Sequence, residues 1–314
     1  MAAGDATLVV TAGPNTAGKG EHMTDDTAVE TGSVAASGEF TLGDDLRVRR
    51  LGYGAMRLTG EGIWGPPKDP ENAVAVLRRA IELGVDFVDT ADSYGPYVSE
   101  ELIREALYPY RGITVATKAG LLRTGPNRWI PCGRPEYLRQ EAEMSLRRLG
   151  VETLDLFQLH RVDPHVAADE QFGLLADLQR EGKVREVGLS QVSVAEIEAA
   201  GRIVDVASVQ NRYNLVDRSS DDVLRHCTAH GIGFIPWAPA DAGKLAEPGH
   251  AAARAADALG ATPAQVALAW LLQRSSVMLP IPGTSSLEHL AENCAAATLE
   301  LDRDTVATLD AAGA

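Results

Sequence analysis

The fold of this chain is decided by the stretch VDFVDTADSYG at residues 85–95 and the run ITVATK at residues 113–118. Each begins with a short apolar segment rich in β-branched or aromatic residues, the pattern of a buried strand, and each strand ends on a charge, Asp89 or Lys118. A charge at the edge of an apolar core is costly unless it is paired or used. Tyr94 follows five residues after Asp89. If the strands are parallel neighbours in a barrel, all three side chains meet at one rim, the face where such folds carry out chemistry.

The composition restricts the class of protein. The 314 residues are 45% hydrophobic and 23% charged, as in globular proteins, and the net charge is −15. That charge argues against a nucleic-acid partner, which needs a basic surface, but leaves open a small anionic ligand in a locally positive pocket. Three well-separated cysteines, Cys132, Cys227 and Cys294, fit buried thiols in a reducing compartment. No apolar run reaches the ~18 residues of a membrane span, so we expect a cytoplasmic protein without a membrane partner.

Residues 1–38 are expected to form a disordered amino-terminal tail. They are rich in Gly, Ala, Thr and Ser and cannot bury enough apolar surface to offset the entropy of ordering. They also lack the basic start and apolar stretch of a secretory signal, and Met23 could be the natural start. The run GPNTAGKG at residues 13–20 is similar to a phosphate-binding P-loop. Gly20 stands where Ser or Thr must hold magnesium, which argues against a nucleotide hydrolase.

Beyond the tail, short apolar runs alternate with amphipathic segments. Residues 40–42 and 46–48 predict a hairpin ahead of the main fold. The later apolar runs predict eight strands, at residues 51–54, 85–89, 113–118, 154–160, 184–189, 206–210, 232–236 and 277–281. Helical segments lie between them, the first with Asp69 as its cap and Pro70 at its first position. Eight such units predict an α/β fold, a (β/α)8 TIM barrel with an N-terminal β-hairpin over residues 39–314; the alternative is an open doubly wound sheet.

The predicted strands end on a mostly polar set of residues: Gly54, Asp89, Lys118, His160, Ser190, Gln210, Trp237 and Gly283. Each alone has an ordinary explanation, because Asp89 could cap a turn, Lys118 could extend into solvent and His160 could be a hydrogen-bonded core residue. Their joint occurrence at matching positions favours an active site at the carboxyl end of a barrel. No GxGxxG sequence follows an early strand, so a nucleotide cofactor would not be bound in the Rossmann manner.

The same residues resemble the aldo-keto reductase family. The shared motifs, in the family's order and spacing, are DTADSYG, TKAG, LDLFQLH, VGLSQ, VQNRYN and IPGTSSLEHLAEN. The resemblance covers nearly all of the chain from Phe40 onward and implies a catalytic tetrad of Asp89, Tyr94, Lys118 and His160. It also implies reduction of an aldehyde or ketone by a nicotinamide cofactor, with Tyr94 as general acid. We expect Lys118, held by Asp89, to lower the pKa of Tyr94, and His160 to orient the carbonyl oxygen.

The resemblance also implies cofactor contacts. Gln191 replaces the more usual Asn among the carboxamide contacts, Trp237 should stack on the nicotinamide ring, and residues 283–285 precede a helix whose N–H groups would bind phosphate. The usual Arg or Lys for the 2'-phosphate is replaced, with His289 at one such position; NADPH stays favoured, with NADH as the alternative. The expected contacts are Ala55, Met56, Ser190, Gln191, Gln210, Trp237, Pro239, Lys244, Gly283, Thr284, Ser285, His289, Glu292 and Asn293.

The substrate is expected to bind between loops at the rim. Trp64 and Trp129 would supply the aromatic walls of a small-molecule pocket. Arg123 and Arg128 either bind an anionic group or are solvated surface residues. The phrases LGYGAM, GPP, REALYPY and ATPAQVALAWLLQRS resemble the bacterial branch of the family that includes pyridoxal reductases. Pyridoxal or a biosynthetic carbonyl compound is therefore the expected substrate.

Two other functions remain as alternatives. Some members of the superfamily are cofactor-binding regulatory subunits that sense redox state with little turnover, although an intact tetrad argues against this role. A metal-dependent barrel hydrolase is the other hypothesis. His160 lacks a second histidine at ligand spacing and the Lys118 ammonium would repel a cation, so no metal is expected.

Overall fold

A parallel sheet surrounded by helices organises the part of the chain that this computed structural model describes, residues 34–239 and 250–312. The strands are β1 (Glu39–Leu42), β2 (Leu46–Arg49), β3 (Tyr53–Gly54), β4 (Phe87–Asp89), β5 (Thr114–Ala119), β6 (Leu121–Arg123), β7 (Trp129–Pro131), β8 (Leu154–Leu159), β9 (Val184–Ser190), β10 (Val206–Arg212) and β11 (Gly233–Trp237). The α-helices are α1 (Pro70–Glu82), α2 (Val98–Leu107), α3 (Pro135–Leu149), α4 (Ala168–Arg180), α5 (Val194–Ala200), α6 (Asp221–His230), α7 (Ala251–Leu259), α8 (Pro263–Arg274), α9 (Leu287–Ala295) and α10 (Arg303–Ala312). Short 3-10 helices lie at Val34–Ser37, Ala55–Leu58 and Ala296–Thr298.

Seven strands pair in parallel in the order β3, β4, β5, β8, β9, β10 and β11, and residues 277–282 close the eighth position. Phe234 of β11 exchanges two backbone hydrogen bonds of 2.8 Å with this segment, and the Gly52 N–H donates to the Pro280 carbonyl oxygen at 2.9 Å. Pro280 and Pro282 have no N–H, so the segment closes the barrel through single bridges rather than as a regular strand. The predicted (β/α)8 barrel is confirmed, and the predicted regular strand at 277–281 is corrected.

Two glycines form the seam between the first strand and the closing segment. A Cβ atom on Gly54 would lie 2.7 Å from the Ile281 carbonyl oxygen, and one on Gly283 would lie 2.5 Å from the Gly54 carbonyl oxygen. No larger residue fits without moving the backbone. The seam leads directly from the barrel to residues 283–285, where the sequence predicts phosphate binding.

The β1–β2 hairpin covers the amino-terminal end of the barrel. It is antiparallel, as predicted, and Leu42 belongs to one apolar cluster with inward-facing strand residues such as Phe87. The Asp44 N–H donates to a carboxylate oxygen of Glu186, near the start of β9, at 3.3 Å. Because this end is closed, the carboxyl-terminal rim is the end left for a site.

The folded region begins earlier than residue 39. Residues 34–37 form a 3-10 helix in which Val34 is buried, and the Val34 N–H donates to the Leu83 carbonyl oxygen at 3.2 Å. The Ser37 hydroxyl accepts from the Leu51 N–H. These contacts order the last residues assigned to the tail, which the local composition does not reveal. The rest of the predicted tail, with Met23 and the P-loop-like run, lies outside the described residues.

A short hairpin that the sequence did not predict lies between β5 and α3. β6 and β7 are antiparallel, with Arg123 opposite Trp129. Each strand has only three residues and little apolar alternation, so sequence periodicity does not identify them. The hairpin brings Trp129 over the rim.

The predicted cap of the first helix is confirmed. The Asp69 carboxylate accepts from the Asn72 N–H at 2.9 Å, with Pro70 at the first helical position of α1. All three cysteines are free thiols; Cys227 and Cys294 are buried, as predicted, whereas Cys132 is only half-buried. None of the helices in the described ranges is long and apolar enough to cross a bilayer.

Candidate active site

A buried lysine connects the acid and the phenol identified in the sequence. The Lys118 ammonium donates to Asp89 Oδ1 and to the Thr90 carbonyl oxygen, both at 2.7 Å, and to Tyr94 Oη at 3.5 Å. The exposed fraction of the Lys118 side chain is 0% and that of Asp89 is 3%. β4 and β5 are parallel neighbours, so residues at their carboxyl ends meet. The structure brings together the three residues that the sequence placed at one rim.

The second oxygen of Asp89 is also fully engaged. It accepts hydrogen bonds from Gln158 Nε2 at 3.1 Å and Gln210 Nε2 at 2.8 Å. Sequence reasoning missed Gln158, although a polar residue inside the buried run LDLFQL is a signal of such a role. Gln210 is one of the expected cofactor contacts and pairs with another, Ser190, across β9 and β10. Its amide nitrogen is committed to Asp89, which leaves its oxygen as the group available to a ligand.

Burial sets the protonation states at the rim. Burial raises the pKa of Tyr94 even though Lys118 opposes this, so the expected net lowering is not found. Burial lowers the pKa of Lys118, but the charges of Asp89 and Tyr94 outweigh it and leave that pKa raised. Burial, followed by the charges of Lys118 and Arg161, lowers the pKa of His160 well below its usual range. At neutral pH, Lys118 is therefore charged, and Tyr94 and His160 are neutral.

The rings of Tyr94, His160 and Trp129 form one aromatic cluster at the rim. The centroid of Tyr94 lies 5.8 Å from that of His160 and 6.4 Å from that of Trp129, with both pairs edge to face. The Trp129 and His160 centroids are 6.4 Å apart. His160 Nδ1 lies 3.3 Å from the Ser93 hydroxyl. The pocket wall predicted at Trp129 thus adjoins Tyr94 and His160.

Arg123 joins the loops that carry the two predicted substrate contacts. Its guanidinium carbon lies 3.5 Å from the Trp129 ring centroid and 5.7 Å from that of Trp64. Its five N–H groups donate to backbone carbonyl oxygens, those of Gly62, Ile63, Ser93, Gly125 and Arg128. Arg123 is therefore neither an anion-binding residue nor a solvated one, as the sequence left open, but a structural link between the rim loops. Arg128 is exposed.

The ends of β9 and β11 form the other side of the rim. Gln191 Oε1 accepts from Trp237 Nε1 at 2.6 Å and from the Arg212 backbone N–H at 2.7 Å. This oxygen fixes the Trp237 ring, and only the side-chain nitrogen of Gln191 is left for a carboxamide. Pro239 follows as a buried residue, and Lys244 lies outside the described residues.

The start of α9 gathers most of the other predicted cofactor contacts. Ser286 is the N-cap and accepts from the His289 N–H at 3.3 Å, while Thr284 Oγ1 accepts from the Ser286 N–H at 3.0 Å. The remaining expected residues are buried (Ala55, Thr284), half-buried (Glu292, Asn293) or exposed (Met56, Gly283, Ser285, His289). The Gly54–Gly283 seam connects this helix start with the tetrad.

A separate buried carboxyl group lies next to the site, at Asp92. Burial, followed by repulsion from Glu100 and Glu141, raises the pKa of Asp92 well above its usual range, against a weaker opposing effect of Arg148. Asp92 Oδ1 has no hydrogen-bond partner among the described groups. The folded state therefore favours the protonated form of Asp92. Its contribution to stability is fully present below the ordinary carboxyl pKa and is lost as pH rises through the raised value.

We expect Asp92→Asn to become more stabilising relative to the wild type as pH rises. Asn imitates the neutral acid, and the wild type loses about 1.4 kcal/mol per pH unit between the ordinary and the raised pKa. Urea unfolding at pH 5, 6, 7 and 8 measures the difference. The exposed Asp205→Asn is the control that removes the same charge. Parallel pH profiles of stability for Asp92→Asn and the wild type would contradict the assignment.

A barrel whose carboxyl-terminal rim holds a buried Lys–Asp pair, a phenol and a neutral histidine is the architecture of an aldo/keto reductase. The chain belongs to the aldo/keto reductase family, whose family model matches residues 50–314. It is accordingly an NAD(P)H-dependent oxidoreductase.

Known relatives cover most of the chain. An uncharacterized oxidoreductase of Schizosaccharomyces pombe is 52% identical over 280 residues, which are 89% of this chain and 91% of the relative. Pyridoxine 4-dehydrogenase of Escherichia coli is 43% identical over 282 residues, 88% of this chain and 98% of the relative. The crystal structure of an aldo-keto reductase from Klebsiella pneumoniae in complex with NADPH is 27% identical, with a TM-score of 0.74 over 87% of this chain and 94% of that one.

Proposed function

We propose that this protein reduces an aldehyde or ketone to an alcohol with NADPH and that Tyr94 donates the proton. The observation that carries the proposal is the position of the Lys118 ammonium, which contacts both Asp89 and Tyr94 Oη in a buried site. When bound, NADPH would supply the hydride. The chain's own task is to bind the carbonyl oxygen and neutralise the negative charge that develops there.

The protonation states suit this task. Tyr94 is a neutral phenol in the free protein, so it holds the proton that the carbonyl oxygen must receive. As that proton leaves, the Lys118 ammonium stabilises the phenolate, and Asp89 keeps Lys118 charged. If the Ser93 hydroxyl donates to His160 Nδ1, the imidazole N–H lies at Nε2, where it can donate a hydrogen bond that orients the carbonyl oxygen without giving up its proton. Tyr94 thus acts as the proton donor, Lys118 and Asp89 as its electrostatic support, and His160 as the group that orients the carbonyl.

The residues present fit a nicotinamide cofactor. The Trp237 ring, fixed by Gln191, would support the nicotinamide, with Ser190 and the free side-chain groups of Gln191 and Gln210 at its carboxamide. The start of α9 beside the exposed Gly283 would bind a phosphate group through its N–H groups. The proposal for NADPH is supported by the Klebsiella relative solved with that cofactor.

We expect a preference for NADPH over NADH that depends on His289. The exposed imidazole and the exposed Ser285 hydroxyl can donate to a 2'-phosphate, whereas the Ser286 hydroxyl already caps α9. His289→Ala should weaken NADPH binding by about tenfold, the effect expected from losing one hydrogen bond to a charged group. The affinity for NADH should be nearly unchanged. Fluorescence titration with each cofactor measures both affinities. The exposed His230→Ala on α6 is the control, and equal losses for NADPH and NADH would refute the role of His289.

Pyridoxal is the first carbonyl substrate to test. The Escherichia coli relative is named a pyridoxine 4-dehydrogenase, and the aromatic pocket at Trp129 suits a planar ring. The test is NADPH oxidation at saturating cofactor with pyridoxal and a panel of aldehydes and ketones, and turnover of any of them supports reduction. Tight retention of NADPH with no turnover across the panel would instead favour a redox-sensing regulatory subunit. A cytoplasmic location is part of the same proposal.

A further inference from the structure

The rim holds more positive than negative charge although the protein carries −15. Burial lowers the pKa of His160, and the nearby charges of Lys118, Arg161 and Arg123 lower it further. Asp89 is the one carboxylate that forms an ion pair with any of these three cations among the described residues. A locally positive pocket in an acidic protein needs a physical reason.

Two of the three cations have no donor to offer a ligand. Lys118 has three N–H groups, and they face Asp89, the Thr90 carbonyl and Tyr94 Oη. All five N–H groups of Arg123 donate to backbone carbonyl oxygens. The N–H groups of Lys118 and Arg123 are therefore all engaged within the protein.

Arg161 differs from them. Its Nη1 donates to the His160 carbonyl oxygen at 2.6 Å and to the Ser190 hydroxyl at 3.2 Å, which fixes the guanidinium at the rim. Nη2 and Nε make no hydrogen bond within the described ranges, and neither is among the buried unpaired atoms. Three N–H groups of a half-buried guanidinium are thus unpaired and lie on atoms that are not fully buried. This is the fork that binds carboxylate or other anionic oxygens.

The nearest acid in sequence does not neutralise Arg161. Asp163 is buried, and its oxygens accept from the Gly133 N–H and the His165 N–H, both at 2.9 Å. The Asp163 carboxylate is therefore held by the backbone, and the described part of the chain contains no ion pair to Arg161.

We infer that Arg161 binds an anionic oxygen on the substrate, so that the preferred substrates are aromatic aldehydes carrying an ionised carboxylate or phenol on the same ring. The inference rests on the proposed function, because it concerns the same pocket. Tyr94, His160 and Trp129 surround the carbonyl with rings that suit a planar molecule. Arg161 would then select substrates by charge, which the rings cannot do.

The test compares substrates that differ in charge and little in shape. 3-Carboxybenzaldehyde is the anionic substrate, its methyl ester is the neutral one, and 2-hydroxybenzaldehyde above its phenol pKa tests the phenolate. In the wild type, kcat/KM for the acid should exceed that for the ester by about tenfold or more, as for one charge-assisted hydrogen-bonded pair. Arg161→Gln should bring this ratio close to one, mainly through KM, and Arg161→Lys should restore part of it. Arg128→Gln, which removes the same charge from an exposed rim position, should leave the ratio unchanged.

Several outcomes would overturn the inference. An acid-to-ester ratio near one in the wild type would do so while leaving carbonyl reduction intact. Equal losses for both aldehydes in Arg161→Gln, together with weaker NADPH binding by fluorescence titration, would assign Arg161 to the cofactor instead. If the wild type reduces no aldehyde, the proposed function and this inference fail together. Should Arg161→Gln not fold, the wild type still decides, because added salt must lower kcat/KM for the acid and not for the ester.

Discussion

Tyr94→Phe is expected to lower kcat for carbonyl reduction by about 10²- to 10⁴-fold, the usual contribution of a positioned general acid. The change removes one oxygen, and that oxygen lies 3.5 Å from the Lys118 ammonium in a site bordered by His160 and Trp129. No other phenol lies in this site among the described residues that pack around it. Without the hydroxyl, the carbonyl oxygen would develop negative charge with no proton donor.

The measurements must separate chemistry from binding. NADPH oxidation with the best substrate reports turnover, and fluorescence titration reports cofactor affinity, which should change little because the predicted cofactor contacts are untouched. Tyr108→Phe is the matched control, because it removes the same oxygen from a ring that is 57% exposed on the surface. Turnover by Tyr94→Phe close to that of the wild type would disprove the assignment of the acid.

Breaking the Lys118–Asp89 pair should produce the largest loss of stability. Asp89→Asn leaves a fully buried ammonium without its counterion, and Lys118→Met leaves a carboxylate held only by Gln158 and Gln210. Removing one partner of a buried pair typically costs about 3–5 kcal/mol. The double variant, Asp89→Asn with Lys118→Met, should be more stable than the sum of the single losses predicts, because no unpaired charge remains.

Urea unfolding of the four proteins gives the coupling free energy. Activity should be lost in all three variants, since each removes the cation that stabilises the Tyr94 phenolate or the group that keeps it charged. The exposed ion pair between Arg180 and Asp177 is the control cycle, in which little coupling is expected. Additive losses at Lys118 and Asp89 would show that the pair does not act as a unit.

Local patterns predicted most of the fold. Parallel strands are buried on both faces, so they stand out as short apolar runs, and the polar residues at their ends mark the rim. The cap of α1 is equally local, because Asp69 bonds a backbone N–H three residues along the chain. The irregular closing segment has a local cause as well, because Pro280 and Pro282 have no N–H to donate to a neighbouring strand. The apolar pattern by itself does not reveal this effect.

Most of the features that were not predicted depend on contacts between distant residues; one of them is local but short. The β6–β7 hairpin is too short for a periodic signal. The role of Arg123 arises from carbonyl groups of three separate segments, those of Gly62, Ser93 and Arg128. The direction of the Tyr94 pKa shift depends on how completely the phenol is buried. Residue type and spacing carry none of this information.

The sequence by itself determined the barrel, because buried strands are visible as local apolar runs, and the family, because the family's motifs occur in order along the chain. It also predicted the tetrad, which remains a prediction. Only the tertiary structure decided how those residues are used. In the folded chain, the Gln210 amide donates to Asp89, and every N–H group of Arg123 donates to a backbone carbonyl oxygen. Arg161 keeps unpaired N–H groups at the rim. The reason is that each donor can be satisfied by any acceptor within about 3 Å, and which acceptor lies there is set by the packing of strands and loops far apart in the chain.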